Sequence, residues 1–278
     1  MRIGDVTVHA LPDGVMPMPP SVLYPDVPTS TWRKLPGTID QDGLLQVPFG
    51  GFLATDDHGH RVVFDLGGGL APQLLPGGEL PAVRELLPAA LEKLGCAPDS
   101  ITDVVFSHLH VDHVGWNTTL KNNKWVATFP KAKYLIGGTE WDFFSHTEDP
   151  FLKDPVDDSV RPVMAEGMTE LVDAKYKVTD EVWLESTPGH TPGHFAVRIS
   201  SKGQDAVITG DLMHHPIQCR YPEWDDNFDV DGPQAKKTRR EFCERYADGK
   251  TLVLGTHFAT PSAGKIIKKD DSFRFVPA

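Results

Sequence analysis

The sequence predicts an α+β fold in which β-sheets are covered by helices on their outer faces. Two observations favour this class: short β-branched or aromatic runs come in groups along the 278 residues, and helical stretches are interspersed among them. The composition, 40% hydrophobic and 24% charged, supplies a sizeable core and excludes wholesale disorder. No internal repeat or break in composition marks a second domain. We therefore expect a single domain over residues 1–278, with its core at about 50–260.

The first third of the chain is predicted to contain three strands and one long connection. Residues 6–10 form a predicted opening strand. The proline-rich residues 11–48 are predicted as an ordered loop, either a lid over a site or a contact in a homodimer. Residues 49–55 and 61–66 are strand-like and flank a turn-forming segment, which indicates a hairpin. Asp65 ends the second of these strands, directly before Leu66 and three glycines.

A short helix and a buried strand are predicted next. Residues 88–94 begin with a proline, which a first helical turn tolerates, and Gly95 is typical of a helix end. Residues 101–107 are rich in β-branched and aromatic side chains and are predicted as a strand buried on both faces.

The remaining elements alternate in type. Further strands are predicted at 133–136, 182–186, 195–200, 206–209 and, as the last strand, 251–254. Helices are predicted at 139–144, at about 159–164 and at 234–246, the last of which Gly249 would close.

The charge balance bears on the class of partner. The chain has 27 Lys+Arg against 39 Asp+Glu, a formal net charge of -12, so an acidic surface would repel phosphate backbones and no nucleic-acid partner is expected. The longest basic cluster is predicted to be a solvated helix face. It comprises Lys236, Lys237, Arg239 and Arg240.

Targeting signals and cysteines point to an ordinary intracellular environment. The first residues show no basic segment leading into an apolar run, so no signal peptide is predicted. No stretch approaches the roughly 18 apolar residues of a membrane span. Cys96, Cys219 and Cys243 are far apart and form no CxxC pair, so they fit neither a disulfide framework nor a thiolate zinc site. We expect a cytoplasmic protein without a membrane partner.

One dense cluster of polar residues indicates metal chemistry. The predicted strand 101–107 runs directly into His108, His110, Asp112 and His113. A strand end directs several side chains into one small volume, and burying such groups without partners costs roughly 2–7 kcal/mol each. A divalent cation supplies that partner, and nitrogen and oxygen ligands suit zinc or its first-row neighbours.

Three further residues that could bind a metal lie in similar positions. His190, Asp211 and His257 each follow a predicted strand and have small or glycine neighbours. Each alone is a weak signal, but in this order after the histidine cluster they form a specific pattern.

The combined pattern resembles the metallo-β-lactamase superfamily. It consists of HxHxDH, a histidine in TPGHTPGH, an aspartate in a TGD turn and a histidine after a later strand, and it runs from about residue 50 to 260. The resemblance implies an αββα sandwich, with two mixed sheets face to face and helices outside. It also implies a dinuclear site at one edge of the sheets, holding two divalent metal ions, most typically zinc, with manganese, cobalt or iron as alternatives.

Carried over position by position, the resemblance assigns a role to each residue of the cluster. His108, His110 and His190 would bind one metal. Asp112, His113 and His257 would bind the other, and Asp211 would bridge the two. Asp65 matches an aspartate that orients a ligand histidine, although the usual Asp-Thr-Gly is Asp-Leu-Gly here.

Within the superfamily, the chain is most similar to the lactonase and methyl-parathion-hydrolase-like branch. His110 stands where a glutamate marks the redox di-iron branch, and the acidic charge does not fit the nuclease branches. Acyl-homoserine lactonases place a tyrosine three residues after the bridging aspartate, and this position is His214 here. The resemblance thus implies the hydrolytic machinery without specifying that substrate.

The implied activity is a metal-dependent hydrolase that opens lactones or cleaves related carboxylic esters of a small-molecule substrate with a bridging hydroxide. Asp112 is a candidate proton carrier. His214 is a candidate catalytic donor to the substrate oxyanion, with His215 as a weaker one. Three alternatives remain open: an organophosphate hydrolase of the phosphotriesterase type, a mononuclear iron oxidoreductase similar to persulfide dioxygenases, and a metal-binding module without catalysis.

Other histidines and aromatic residues receive simpler interpretations. His194 follows the ligand position of His190 closely and is predicted to be structural. Trp116 directly follows the histidine cluster and is the first candidate for a wall of the substrate pocket.

Overall fold

The computed structural model describes residues 1–69 and 86–278. Within these residues, two β-sheets lie face to face and helices pack on the outer face of each, giving four layers. The predicted α+β class and αββα sandwich are confirmed.

The described strands are numbered in chain order. They are β1 (Arg2–Ile3), β2 (Val6–Met18), β3 (Leu45–Thr55), β4 (Arg61–Phe64), β5 (Asp103–Val105), β6 (Thr118–Lys121), β7 (Lys124–Ala127), β8 (Lys133–Gly137), β9 (Thr169–Val172), β10 (Val182–Ser186), β11 (Phe195–Ser201), β12 (Gln204–Ile208), β13 (Leu252–Leu254), β14 (Ala263–Lys269) and β15 (Ser272–Pro277).

The described α-helices are numbered in the same way. They are α1 (Pro20–Leu23), α2 (Thr29–Trp32), α3 (Leu86–Lys93), α4 (Val111–Val114), α5 (Gly138–Ser145), α6 (Pro150–Pro155), α7 (Arg161–Ala165), α8 (Ile217–Arg220) and α9 (Gly232–Tyr246). A π-helical turn, Val156–Val160, joins α6 to α7. None of the helices in the described ranges is both long and apolar enough to cross a membrane.

Both large sheets are mixed. The first has the order β1-β2-β3-β4-β5-β8-β9, with antiparallel pairs up to β4 and parallel pairs from β4 to β9. The second has the order β10-β11-β12-β13-β14-β15, in which only β12 and β13 are parallel among the described strands. β6 and β7 form a separate hairpin.

Alternation of side chains along the strands builds the layers. Val104 packs with the helices outside the first sheet, whereas its neighbour Val105 packs between the sheets. In the second sheet, Ile208 lies between the sheets and Val207 packs outside with Phe242 of α9. Strands buried on both faces therefore appear as continuous apolar runs, as predicted for residues 101–107.

The N-terminal region differs from its prediction. Residues 11–48 are not one loop, because β2 continues to Met18 and pairs with β3 from Thr7 to Met18, with one register shift between Pro12 and Gly14. Prolines are tolerated there because β1 pairs only with Val6 and Thr7 of β2, so beyond Thr7 this edge of β2 has no partner among the described strands. The following residues pack through Tyr24 and Trp32 against the segment after α8, so the sandwich begins before residue 50.

The C-terminal end also differs. The strand predicted at 251–254 is present as β13, but it is not the last one, because the hairpin of β14 and β15 extends the second sheet. The predicted helix at 159–164 is a π-helical turn followed by α7. The other predicted strands and helices are present with bounds shifted by at most four residues, and β10 has the predicted bounds.

Candidate metal centre

Seven histidine and aspartate side chains converge at one edge of the two sheets. They form two groups that share one aspartate, and within each group the potential ligand atoms all lie within 4.8 Å of one another. The first group is His108, His110, His190 and Asp211, and the second is Asp112, His113, Asp211 and His257. The structure thus brings together every residue that the sequence pattern nominated for metal binding.

Ring nitrogens dominate the first group. His110 Nδ1 lies 3.0 Å from His108 Nε2 and 3.0 Å from His190 Nε2. Asp211 Oδ2 lies 3.6 Å from His108 Nε2 and 3.5 Å from His190 Nε2. Three imidazoles and one carboxylate oxygen therefore face one point.

The second group uses the other oxygen of the same aspartate. Asp211 Oδ1 lies 3.0 Å from His113 Nε2 and 2.9 Å from His257 Nε2. Asp112 Oδ2 lies 3.6 Å from each of these two nitrogens. Asp211 therefore directs one oxygen at each group, which is the geometry of a bridging carboxylate.

The donor set fits divalent cations. His113 Nε2, His257 Nε2 and Asp211 Oδ1 are buried and have no hydrogen-bond partner among the described residues. Orphaned buried polar atoms are costly, and a cation at their common point would satisfy all three. Imidazole and carboxylate ligands suit zinc and neighbouring first-row metals.

The electrostatics of the first group favour the ligand forms of its side chains. Burial holds the pKa of His108 and of His190 well below the usual value, and it lowers the pKa of His110 to about 4. Neutral imidazoles offer the lone pairs that a metal needs.

The carboxylates create a negative field in the second group. Burial opposes ionisation of Asp211, but His113, His257 and His108 outweigh it and hold the pKa of Asp211 well below its usual value. Burial likewise opposes charge on His113, but Asp211, Asp112 and Asp65 raise the pKa of His113 well above its usual value. The same field attracts a cation.

The ends of strands place these groups. The segment from His108 to His113 follows β5 of the first sheet, whereas His190, Asp211 and His257 follow β10, β12 and β13 of the second. Gly210 adopts a φ of 53°, and a Cβ there would lie 2.7 Å from His194 Nε2. Glycine is therefore required directly before Asp211 to bring that turn against the histidine ring.

The family model of the metallo-beta-lactamase superfamily matches residues 51–257. The chain belongs to this superfamily. The matched range begins in β3 and ends at His257, so it contains all seven residues of the two groups.

Two relatives share part of the sequence. The chain is 28% identical over 118 residues to an N-acyl homoserine lactonase of Bacillus thuringiensis, covering 42% of this chain and 40% of that protein. It is 30% identical over 179 residues to the N-acyl homoserine lactonase AttM of Azorhizobium caulinodans, covering 58% of this chain and 63% of that protein. The matched part thus spans less than two thirds of either relative.

A solved structure shares the metallo-β-lactamase fold over nearly its whole length. It is that of AidC, a dizinc quorum-quenching lactonase, with a TM-score of 0.83 and 22% identity. The match covers 100% of this chain and 96% of that chain. At this level of identity the likeness shows the fold.

In this metallo-β-lactamase fold, oxygen atoms face the outer ring nitrogens of His113 and His257. Asp65 adopts a φ of 55°, and its carboxylate accepts from the Ser107 amide at 2.8 Å and lies 3.1 Å from His113 Nδ1. His257 Nδ1 donates to the carbonyl of Pro48 at 2.7 Å. A proton held on Nδ1 leaves the Nε2 lone pair free for a metal.

His214 lies beside the cluster and faces two carboxylates. Its Nδ1 lies 2.7 Å from Asp226 Oδ2, and its Nε2 lies 3.1 Å from Asp211 Oδ2. Burial opposes charge on this ring, but Asp226 and Asp211 outweigh it and raise the pKa of His214 well above its usual value. For His214 to donate to a substrate as predicted, its Nε2–H would have to be shared between two acceptors, Asp211 Oδ2 and the substrate oxygen.

Two neighbouring histidines bond to the backbone. His194 Nε2 accepts from the Asp211 amide at 2.9 Å and its Nδ1 donates to Thr187 Oγ1 at 2.8 Å, so His194 fixes the Asp211 turn. His215 Nδ1 accepts from the Ile217 amide at 3.1 Å within its own turn.

Trp116 does not form a wall of the cluster. Its indole is buried in the core outside the first sheet, and its Nε1 donates to Asp13 Oδ1 at 2.8 Å. Trp116 is next to the histidine motif in the sequence, which predicted a pocket wall. In the structure its indole instead donates to the buried Asp13 carboxylate. Phe144, by contrast, packs edge-on against His110, with ring centroids 5.6 Å apart.

The prediction that the basic cluster is a solvated helix face is wrong for Arg239. Its side chain is fully buried, and its Nη2 donates to Asp229 Oδ2 at 2.8 Å. Burial raises the pKa of Asp229 to about 6, against the opposing effect of the Arg239 guanidinium. The helical periodicity of α9 places Ala235, Arg239 and Phe242 on one buried face, which was a signal available in the sequence.

Proposed function

We propose that the chain is a metal-dependent hydrolase that holds two divalent cations and opens lactones or cleaves related carboxylic esters. The observation that carries the proposal is Asp211, whose two oxygens face two separate groups of histidine and aspartate ligands. The relatives named as N-acyl homoserine lactonases support the lactone as substrate class.

The proposed ligands follow from the two groups. His108, His110 and His190 would hold one cation and Asp112, His113 and His257 the other, with Asp211 between them. Zinc fits this set of donors. Cations bound there would lower the pKa of water towards neutrality and polarise a carbonyl oxygen.

Asp112 is the proposed proton carrier. Its side chain is 22% exposed, whereas those of His113 and His257 are buried, so its carboxylate can face both the cluster and solvent. In ester hydrolysis, a water oxygen bonds to the carbonyl carbon and the bond from that carbon to the alkoxy oxygen breaks. Asp112 would accept the proton of the water and deliver it to the leaving oxygen.

The testing experiment combines metal analysis with a substrate panel. Protein loaded with zinc, manganese or cobalt would be assayed with γ- and δ-lactones, aryl esters and organophosphates. We expect lactone or ester turnover in protein with two ions per chain. His110→Ala should abolish turnover, and His60→Ala, a substitution at a hairpin-turn histidine bonded to Asp56, should leave turnover unchanged.

Other outcomes would replace the proposal. Protein with two ions per chain that acts on organophosphates alone would be a phosphotriesterase. A single iron per chain, with oxygen consumption on persulfides, would indicate the oxidoreductase. Two bound ions without turnover of any class in the panel would contradict the proposed hydrolase.

A further inference from the structure

We propose that Asp229 and Arg239 are positioning residues for the metal centre, because together they hold His190 in the tautomer whose Nε2 lone pair faces the first group. This inference rests on the proposed cation site. Neither residue touches the reacting atoms, and both lie outside the sequence motif that nominated the seven ligands.

The contact between Asp229 and His190 sets the proton. His190 Nδ1 lies 3.3 Å from Asp229 Oδ1, and both side chains are 1% exposed. An ionised carboxylate only accepts hydrogen bonds, so the proton must lie on Nδ1. The Nε2 lone pair is then directed at His110 Nδ1 and Asp211 Oδ2, 3.0 and 3.5 Å away.

Backbone pairing keeps the carboxylate in register with the ring. The Val230 amide donates to the His190 carbonyl and the Asp231 amide donates to the Gly189 carbonyl, each at 2.9 Å. The segment that carries Asp229 is therefore fixed to the segment that carries His190. The contact at 3.3 Å is a consequence of this register.

Arg239 links the carboxylate to the loop of the bridging aspartate. Its Nη2 donates to Asp229 Oδ2 at 2.8 Å, and its Nε donates at 3.0 Å to the carbonyl of Leu212, the residue after Asp211. Its Nη1 donates to the carbonyls of Pro222 and Trp224 at 3.2 and 2.9 Å. One buried guanidinium thus fixes three segments around the centre.

Among the described residues, the Asp229 carboxylate makes hydrogen-bonding contacts with His190 and Arg239 alone. A carboxylate that served only to neutralise Arg239 would not need to face an imidazole. Partners of this kind orient metal-binding histidines and tune their basicity. The arrangement therefore acts on one of the two groups, since His190 belongs to the first.

Asp229→Asn gives the sharpest test. Arg239 requires an acceptor, so the amide oxygen would face Arg239 and the amide NH₂ would face His190 Nδ1. The ring proton would move to Nε2 and block that ligand. We expect zinc affinity at the first group to fall about 10–100-fold, with the second group retained. Zinc would be measured by competition with a chromogenic chelator.

Asp231→Asn is the matched control. Asp231 accepts from the Gln234 amide at the start of α9, and asparagine caps a helix equally well. It should bind zinc like the unmodified protein. Equal affinities in all three proteins would overturn the inference.

A second readout does not depend on bound metal. ¹⁵N NMR of the histidine rings in metal-free protein should show the His190 proton on Nδ1 in the unmodified protein and on Nε2 in Asp229→Asn. A proton on Nε2 in the unmodified protein would overturn the inference. Failure of the unmodified protein to bind zinc would contradict the proposed function, and the NMR result would still decide the tautomer.

Arg239→Lys tests the other half of the pair. Lysine keeps the charge but cannot reach Leu212, Pro222 and Asp229 at once. We expect a fall of several-fold in zinc affinity at the first group together with a lower melting temperature. Unchanged zinc affinity in a folded Arg239→Lys variant would remove Arg239 from the proposal.

Discussion

Asp211 joins the two groups through a single side chain. Its Oδ1 and Oδ2 face different sets of imidazoles, and its amide is held by His194. The outer nitrogens of two imidazoles face oxygen atoms: the Asp65 carboxylate lies 3.1 Å from His113 Nδ1, and His257 Nδ1 donates to the carbonyl of Pro48. For His257, a single hydrogen bond therefore decides which lone pair points inwards.

Asp112→Asn should separate catalysis from metal binding. Asparagine keeps an oxygen ligand but cannot carry a proton, so turnover should fall about 100-fold or more while metal content falls much less. Steady-state kinetics and metal analysis on the same preparation would check this. Asp99→Asn, an exposed substitution far from the cluster, is the control. Parallel losses of turnover and metal would show that Asp112 acts only as a ligand.

The sequence was informative about residues that belong to a dense pattern. The cluster from His108 to His113 could be predicted because several metal-binding residues occur within six positions. Asp13, Asp226 and Asp229 could not, because an isolated aspartate looks the same whether it is solvated or buried. Only the fold brings their partners, which lie far along the chain, into contact.

At the scale of elements, α5 holds together two of the loops that carry proposed ligands. Glu140 is buried, and its carboxylate accepts from the Leu109 amide at 3.2 Å and from the Gly193 amide at 2.9 Å. One loop holds His108 and His110, and the other holds His190. Burial raises the pKa of Glu140 to about 7, although these hydrogen bonds oppose the shift.

Glu140→Gln should change how stability depends on pH. A folded pKa of about 7 against 4.5 in the unfolded chain means that the folded state retains a proton which the unfolded state has lost between these values. The contribution of Glu140 to stability therefore falls as pH rises from about 4.5 to 7. The shift corresponds to a change on the order of 3 kcal/mol.

Urea unfolding of metal-free protein at pH 5 and pH 8 would measure this. The free energy of unfolding of the unmodified protein, minus that of Glu140→Gln, should be lower at pH 8 than at pH 5. Glu92→Gln, at an exposed position on α3, should show no such change. An identical difference between the unmodified protein and Glu140→Gln at both pH values would refute the burial of an ionisable Glu140.

A buried carboxylate on β2 also connects segments that are distant in the sequence. A register shift between Pro12 and Gly14 interrupts the pairing with β3 at Asp13, which points inwards. The Asp13 carboxylate accepts from the amides of Gly68 and Gly69 and from Trp116 Nε1. Local prolines predicted a loop here, whereas long-range pairing with β3 determined the strand.

Trp116→Phe should destabilise the protein without loss of metal. The change removes the indole donor to Asp13, and hydrogen bonds to charged groups contribute about 1.5–3 kcal/mol. Urea unfolding and metal analysis would check both points. Trp125→Phe, at a half-buried position in the hairpin of β6 and β7, is the control. A Trp116→Phe variant with unchanged stability but a changed substrate preference would contradict this expectation and indicate that Trp116 lines the substrate pocket.

At the scale of the molecule, the candidate metal centre lies between the two halves of the sandwich. The proposed ligands from His108 to His113 follow a strand of the first sheet, and His190, Asp211 and His257 follow strands of the second. Apolar runs in the sequence predicted sheets covered by helices, and the family resemblance implied two sheets face to face. The continuation of β2 to Met18 and the C-terminal hairpin of β14 and β15 were not predicted, because their patterns are weaker.

Removal of metal should therefore lower the stability of the whole molecule. A cation that binds only the folded state at 1,000 times its dissociation constant adds about 4 kcal/mol. For a chain of this size, chelation should lower the melting temperature by roughly 8 °C or more. Differential scanning calorimetry with a chelator, followed by added zinc, would show loss and recovery. A melting temperature that changes with neither the chelator nor the added zinc would contradict cation binding between the sheets.

The most direct measurement is a crystal structure of zinc-loaded protein with anomalous diffraction at the zinc edge. We expect two anomalous peaks, one on either side of the Asp211 carboxylate. One should contact His108, His110 and His190, and the other Asp112, His113 and His257. A single peak, or two peaks that Asp211 does not touch, would contradict this expectation.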